Sequence, residues 1–187
     1  MSKGIDSRRI AHMKNSCKVI QILRDKVPGA HLEDLKTAAR LHDIGYSNKI
    51  NIDSDLPHEI RGAYYLKSLN FSDLICKLVA NHGYGNKIPE EFKLNSDLEK
   101  YLSDIIKFSD ISSTGHGLGS VNHRVLDVIK RSKRSEGDSG ISKNFSIMGL
   151  LKLYYYYYKY YKVLIKLRAP IFWYRRQDRW QSVITQE

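Results

Sequence analysis

Imidazole and carboxylate side chains recur along this chain in an order that suggests a shared site: His12, the adjacent pair His42-Asp43, His58, His82 and Asp110. The pair alone carries no weight, because seven histidines and thirteen aspartates among 187 residues predict about 0.5 His-Asp dipeptides by chance. The arrangement does. His42-Asp43 closes a helical pattern just before Ile44-Gly45, one histidine lies a helix earlier, two lie at later helix boundaries, and Asp110 falls late in a fifth helical pattern. Neutral imidazole nitrogens and carboxylate oxygens suit divalent ions such as manganese, iron, cobalt, nickel or zinc, with magnesium also in range. The two cysteines, Cys17 and Cys76, lack metal-type spacing, so a structural zinc is not expected; both fall on apolar helix faces and should stay reduced and packed.

Such a site needs helices that bring distant parts of the chain together, and the apolar periodicity supplies them. Ile10, Met13, Cys17, Ile20, Leu23 and Val27 recur at helical spacing until Pro28-Gly29 stops the pattern. A second helix runs from about Leu32 through Leu35, Ala38 and Ala39 to His42-Asp43, where Gly45 is expected to take the left-handed conformation that closes a helix. After a polar loop over 45–56, Pro57 opens a third helix with Gly62, Tyr65, Leu66 and Leu69 on its core side and His58 in its first turn. Ser72 can cap a fourth helix that leads to His82. Ser96-Asp97-Leu98-Glu99 has the capping-box pattern for a fifth, which directs Asp110 inward. Val121 to Ile129 suggests a sixth, no segment of 1–134 alternates like a strand, and the Gly-rich stretch from Thr114 to Gly119 reads as a turn.

With these residues placed, the chain resembles the His-Asp (HD) superfamily of metal-dependent phosphohydrolases over roughly residues 8–134. The family order of His, then His-Asp, then Asp is met by His12, by Leu41-His42-Asp43-Ile44-Gly45 and by Phe108-Ser109-Asp110. Two further histidines found in two-metal members are matched by His58 and His82. The His-Asp-Ile-Gly spelling and Asp110-Ile111-Ser112-Ser113-Thr114-Gly115 look like a bacterial HDIG-type subgroup. The resemblance implies an all-α fold: one HD helical bundle of about five to six helices over 1–134, then a linker at 135–140 and a Tyr/Lys-rich extension over 141–187. It also implies one or two divalent ions held by His12, His42, Asp43, Asp110, His58 and His82. His42 and Asp43 become the catalytic pair, and a nucleotide or related phosphate ester or anhydride is hydrolysed by attack of a metal-bound water. If Asp43 bridges two ions, four positive charges face two carboxylates, and the remaining charge of about +2 favours a phosphate guest.

The resemblance breaks at one position. Many members carry Lys after His-Asp-x-Gly, where this chain has Tyr46; Lys49, three residues on, is a candidate replacement, and Arg61 and Arg124 are further candidates for holding substrate phosphate. The missing Lys also supports a rival reading, a sensory or ligand-binding HD module without turnover. A narrower enzyme reading is a symmetrical dinucleoside-tetraphosphate hydrolase, which shares the five-part ligand order. His31, His116 and His123 fit no family position and read as surface residues.

Charge separates the two ends of the chain. Residues 141–187 hold nine Lys or Arg against Asp178 and Glu187, a balance of +7, so 1–140 carries the remaining +4 of the total +11. Seven tyrosines between Tyr154 and Tyr161, interrupted only by Lys159, fit neither a helical stripe nor a two-sided strand. Interleaved Lys and Tyr, then Trp173, Arg175, Arg176 and Trp180, could bind nucleic acid or a membrane surface by charge and stacking; a poorly ordered extension without function is the competing reading. No uncharged window of about 18 residues and no secretory leader pattern is present in the sequence, and a cytoplasmic location is expected.

Overall fold

In the computed structural model, residues 5–83, 87–115, 117–119 and Tyr158 are described. The chain divides after Leu118 into two units. Five α-helices form the first: α1 (Ser7–Ile22), α2 (Leu32–Leu41), α3 (His58–Ser68), α4 (Asp73–Ala80) and α5 (Asp97–Ile111). The fold is all-α, with one two-stranded hairpin. The expected sixth helix, Arg124, His116, His123 and, apart from Tyr158, the 141–187 extension lie outside the described residues.

Local chemistry explains most helix boundaries. Asp6 caps α1 by accepting from Arg8 N at 3.1 Å, and Ser72 Oγ caps α4 by accepting from Ile75 N at 3.4 Å. The capping box of α5 forms as its spelling predicts: Glu99 N donates to Ser96 Oγ at 3.1 Å, and the Glu99 carboxylate accepts from Ser96 N at 3.3 Å. α1 ends earlier than its apolar period, at Ile22, and Arg24–Lys26 continues as a 3-10 turn.

The apolar faces meet in one core. α1 packs on α2 and α5, α2 also on α4 and α5, and α3 on α4. Ile20, Leu35, Leu66, Leu78, Leu102 and Phe108 are among the largest fully buried side chains. Cys17 and Cys76 are buried and free, as expected. Lys77 ties α4 to α5 through Glu99 at 2.7 Å, and Asn81 closes α4 while donating to Phe92 O at 2.8 Å.

Three expectations need correction. Leu69, placed on the core side of α3, is 51% exposed, and Ile10 of α1 is 40% exposed; both sit at helix ends, where a regular period overextends the buried stripe. The Gly-rich segment contains short strands: Ser113–Thr114 (β1) pairs antiparallel with Gly117–Leu118 (β2), and Gly117 takes φ 141° at the turn. Two-residue strands are too short for alternation to register. Gly45, finally, is not left-handed. Among the described residues, the positive φ that closes a helix belongs to Asn70 (φ 59°), where Asn70 N donates to Lys67 O at 3.0 Å and Phe71 N to Leu66 O at 3.1 Å, the Schellman pattern that ends α3.

Gly45 has a different role. A Cβ there would lie 1.8 Å from the His58 carbonyl oxygen and 2.8 Å from Gly62 N. The 3-10 turn Ile44–Tyr46 therefore sits directly against the start of α3, and only a residue without a side chain permits that approach. The contact places His58 beside Asp43.

Candidate metal centre

Five segments converge on one small volume. α1 contributes His12, the end of α2 His42 and Asp43, the first turn of α3 His58, the residue two beyond α4 His82, and the last turn of α5 Asp110. Neighbouring residues on a regular helix point about 100° apart. His42 keeps helical angles (φ −55°, ψ −36°), but Asp43 departs to φ −95°, ψ 10°, so both side chains reach the same space.

The donor atoms are spaced like the edges of a coordination polyhedron. His12 Nε2 lies 2.9 Å from Asp110 Oδ1 and 3.2 Å from His42 Nε2; His42 Nε2 lies 3.6 Å from Asp110 Oδ1 and 3.7 Å from Asp43 Oδ1. The same carboxylate oxygen, Asp43 Oδ1, is also 3.4 Å from His58 Nε2 and 3.6 Å from His82 Nε2. Ligands about 2.1 Å from one ion, at tetrahedral or octahedral angles, stand roughly 3.0–3.4 Å apart. The residues present thus fit divalent ions in two adjoining groups, His12 with His42 and Asp110, and His42 with Asp43 and His82, while His58 and His82 also form a group with Glu59.

The outer nitrogen of each imidazole has its own neighbour. His42 Nδ1–H donates to Ala39 O at 2.9 Å and His82 Nδ1–H to Val79 O at 2.7 Å; carbonyls only accept, so both Nε2 lone pairs face the cluster. His12 Nδ1 lies 3.2 Å from Ser113 Oγ, which also meets Ser16 Oγ at 2.6 Å, so the hairpin braces α1 beside the site. His58 Nδ1 lies 3.3 Å from Glu59 Oε2, a buried carboxylate oxygen with no hydrogen-bond partner among the described residues. Burial disfavours charge on Asp43, yet His42 and the hydrogen-bonding edges of His58 and His82 outweigh it and hold the carboxyl far below its ordinary value of 3.8. Burial likewise opposes a charged His42, but Asp43 and then Asp110 raise its pKa above 6.5.

The six histidine and aspartate positions singled out in the sequence are therefore adjacent in space. Of the candidate phosphate cations, Arg124 lies outside the described residues, and Lys49 and Arg61 are not gathered with them in the same way. Lys49 is exposed on the loop after Tyr46, and Arg61 lies on α3 with its Nε buried and unpartnered; among the described residues neither forms an ion pair. Three residues beside the site escaped sequence reasoning: Arg9, Glu59 and Ser113. Arg9 had a readable signal, since three residues before His12 is one helical turn on the same face. Glu59 and Ser113 had none, because their roles depend on tertiary contacts.

A family model described as HD domain matches residues 9–111, more than half of the chain. This chain belongs to the HD-domain family. The likeness to the superfamily of metal-dependent phosphohydrolases, drawn above from His12, His42-Asp43 and Asp110, thus holds for this HD protein. Among curated proteins it is 33% identical over 107 residues to the tRNA (cytidine(56)-2'-O)-methyltransferase of Picrophilus torridus. That match takes in 57% of this chain and 30% of the relative, so the HD protein spans less than a third of that protein's length. No solved structure matches it. Among its described residues no helix is long and apolar enough to cross a membrane.

Proposed function

We propose that this HD protein is a metal-dependent phosphohydrolase acting on a nucleotide or related phosphate ester or anhydride. The observation that carries the reading is the shared position of Asp43 Oδ1, within 3.7 Å of His42 and within 3.6 Å of both His58 and His82. In this assignment His12, His42, Asp43 and Asp110 would hold one divalent ion, and Asp43, His58 and His82 would hold a second. When bound, such ions supply an acidified water and Lewis-acid stabilisation of phosphoryl charge.

The protein's own contribution is preorganisation. The backbone carbonyls of Ala39 and Val79 accept from Nδ1 of His42 and His82, which leaves Nε2 of each ring as the atom directed at a metal; His42, whose pKa is raised, gives up its Nε2 proton on binding. Asp43 stays ionised at all ordinary pH, which keeps the bridging position anionic. Every donor is neutral or singly negative, and two carboxylates against two divalent ions leave a site that favours an anionic guest.

The direct experiment is metal-dependent turnover across a panel of nucleotides and phosphate esters with Mn²⁺, comparing the native protein with Asp43→Ala. Turnover that disappears in a folded Asp43→Ala protein supports the reading. Absence of metal-dependent turnover across the whole panel favours instead a ligand-binding HD module, the reading that Tyr46 in the usual Lys position supports.

A further inference from the structure

Arg9 was not among the candidate cations, yet it is hydrogen-bonded to the candidate site. Its Nη1 donates to Asp43 Oδ2 at 2.9 Å, while Oδ1 of the same carboxylate faces His42, His58 and His82. Its guanidinium carbon lies 3.4 Å from the centroid of the Tyr46 ring. Tyr46 in turn stacks on His58, with centroids 3.9 Å apart and planes 25° from parallel. The Arg9 side chain is 29% exposed and Tyr46 is 43% exposed, so the stack stands at the solvent edge of the site rather than within the core.

We propose that Arg9 is a phosphate-binding residue, held for a substrate phosphoryl oxygen by Asp43 and by the face of Tyr46; the proposal rests on the hydrolase reading above. The position that Tyr46 occupies supplies no charge of its own but gives the Arg9 charge a surface to lie on. A guanidinium has five donors in a rigid fork, and the Arg9 fork engages Asp43 Oδ2 and the Tyr46 side chain, more donors than these two partners use. Stacking fixes the plane of the fork in advance, so little orientational freedom is lost when a phosphate arrives.

Charge points the same way. Two divalent ions against Asp43 and Asp110 would leave about +2, and Arg9 adds a further positive charge at the edge of the site. The carboxylates present would leave such a group of cations under-compensated, and a further anion would meet the shortfall. Phosphate satisfies all three cations at once, and Asp43 Oδ2 keeps the guanidinium close until it does.

The test uses the full chain and two titrations. Mn²⁺-loaded native protein, Arg9→Gln, Arg9→Lys and Tyr46→Leu are titrated calorimetrically with inorganic phosphate, and the metal-free proteins are titrated with Mn²⁺. Loss of a charge-assisted hydrogen bond should weaken phosphate binding by about 10- to 100-fold in Arg9→Gln, with a smaller change in Mn²⁺ affinity. Arg9→Lys should be intermediate, and Tyr46→Leu should shift phosphate affinity the same way by less. With any substrate the native protein turns over, KM should rise more than kcat falls.

Unchanged phosphate affinity in Arg9→Gln overturns the proposal. So does Mn²⁺ affinity that weakens as much as phosphate affinity, because Arg9 would then serve only to orient Asp43. Native Mn²⁺-loaded protein that binds no phosphate overturns the hydrolase reading and the Arg9 proposal together, whereas native binding with an indifferent Arg9→Gln removes Arg9 alone. If Arg9→Gln does not fold, Tyr46→Leu carries the same comparison at a half-exposed position.

Discussion

Replacing Gly45 by alanine should disturb the second ion position more than the rest of the fold. The added Cβ would lie 1.8 Å from the His58 carbonyl oxygen, 2.7 Å from its carbonyl carbon and 2.8 Å from Gly62 N. These are backbone atoms that cannot rotate away. Ordinary contact begins near 3.4 Å, so the turn at 44–46 and the start of α3 must separate by about 1.6 Å. Asp43 and His58 flank the clash, 3.4 Å apart from Oδ1 to Nε2. Separation along that line opens the gap to about 5 Å, beyond the roughly 4.2 Å that two ligands of one ion can span. Overpacking of this kind destabilises by about 1–3 kcal/mol, or roughly 2–12 °C in Tm for a chain of this size. Scanning calorimetry of the metal-free protein and Mn²⁺ titration check both effects: a lowered Tm, one ion bound nearly as before, and the other weakened by at least about tenfold. An alanine variant with native Tm and two unchanged affinities would refute the claim that the bare approach of Gly45 to α3 sets the site.

Other perturbations separate the parts of the account. His12→Ala and Asp110→Ala should remove one ion, and His58→Ala and His82→Ala the other, whereas Asp43→Ala should weaken both and abolish turnover; metal content of the dialysed variants distinguishes these patterns. Because the His42 pKa is raised, its proton persists to higher pH than in a free imidazole. Its contribution to metal-free stability is therefore fully present below about 6.5 and is lost as pH rises through the raised value. Mn²⁺ needs the neutral ring, so affinity should fall as pH drops through that same value, with proton release on binding; a constant affinity between about pH 8 and about pH 6 would contradict this. Ser96→Ala removes the cap of α5 and should lower stability by about 1 kcal/mol in a urea titration, leaving Mn²⁺ binding intact. Leu102→Ala empties a fully buried position and should cost about 2–5 kcal/mol in the same assay.

Much of this architecture is legible in the sequence because its signals are local. The box Ser96-x-x-Glu99, the Ser72 cap and Pro57 before His58 each satisfy backbone donors or restrict backbone angles within a few residues, and each marks the helix start it predicts. The His12, His42-Asp43, His58, His82 and Asp110 order is legible for a related reason: helix ends are where five segments can point into one volume. What escaped depends on contacts between distant segments. Gly45 has the local spelling of a helix stop, but its requirement comes from α3, thirteen or more residues away. Ser113 and Glu59 acquire meaning only from His12 and His58 in the folded structure, although Glu59 is next to His58 in the chain. Arg9 could have been read from its one-turn spacing to His12, but its engagement with Asp43 and Tyr46 could not.

The central claim is that imidazoles and carboxylates from five segments surround a pair of divalent ions. Crystals of the protein grown with Mn²⁺ and measured at a wavelength where manganese scatters anomalously test it most directly. The account predicts two anomalous peaks, one among His12, His42, Asp43 and Asp110 and one among Asp43, His58 and His82, with Asp43 touching both. Bound manganese located away from these side chains, or no peak among them at saturating Mn²⁺, would contradict it.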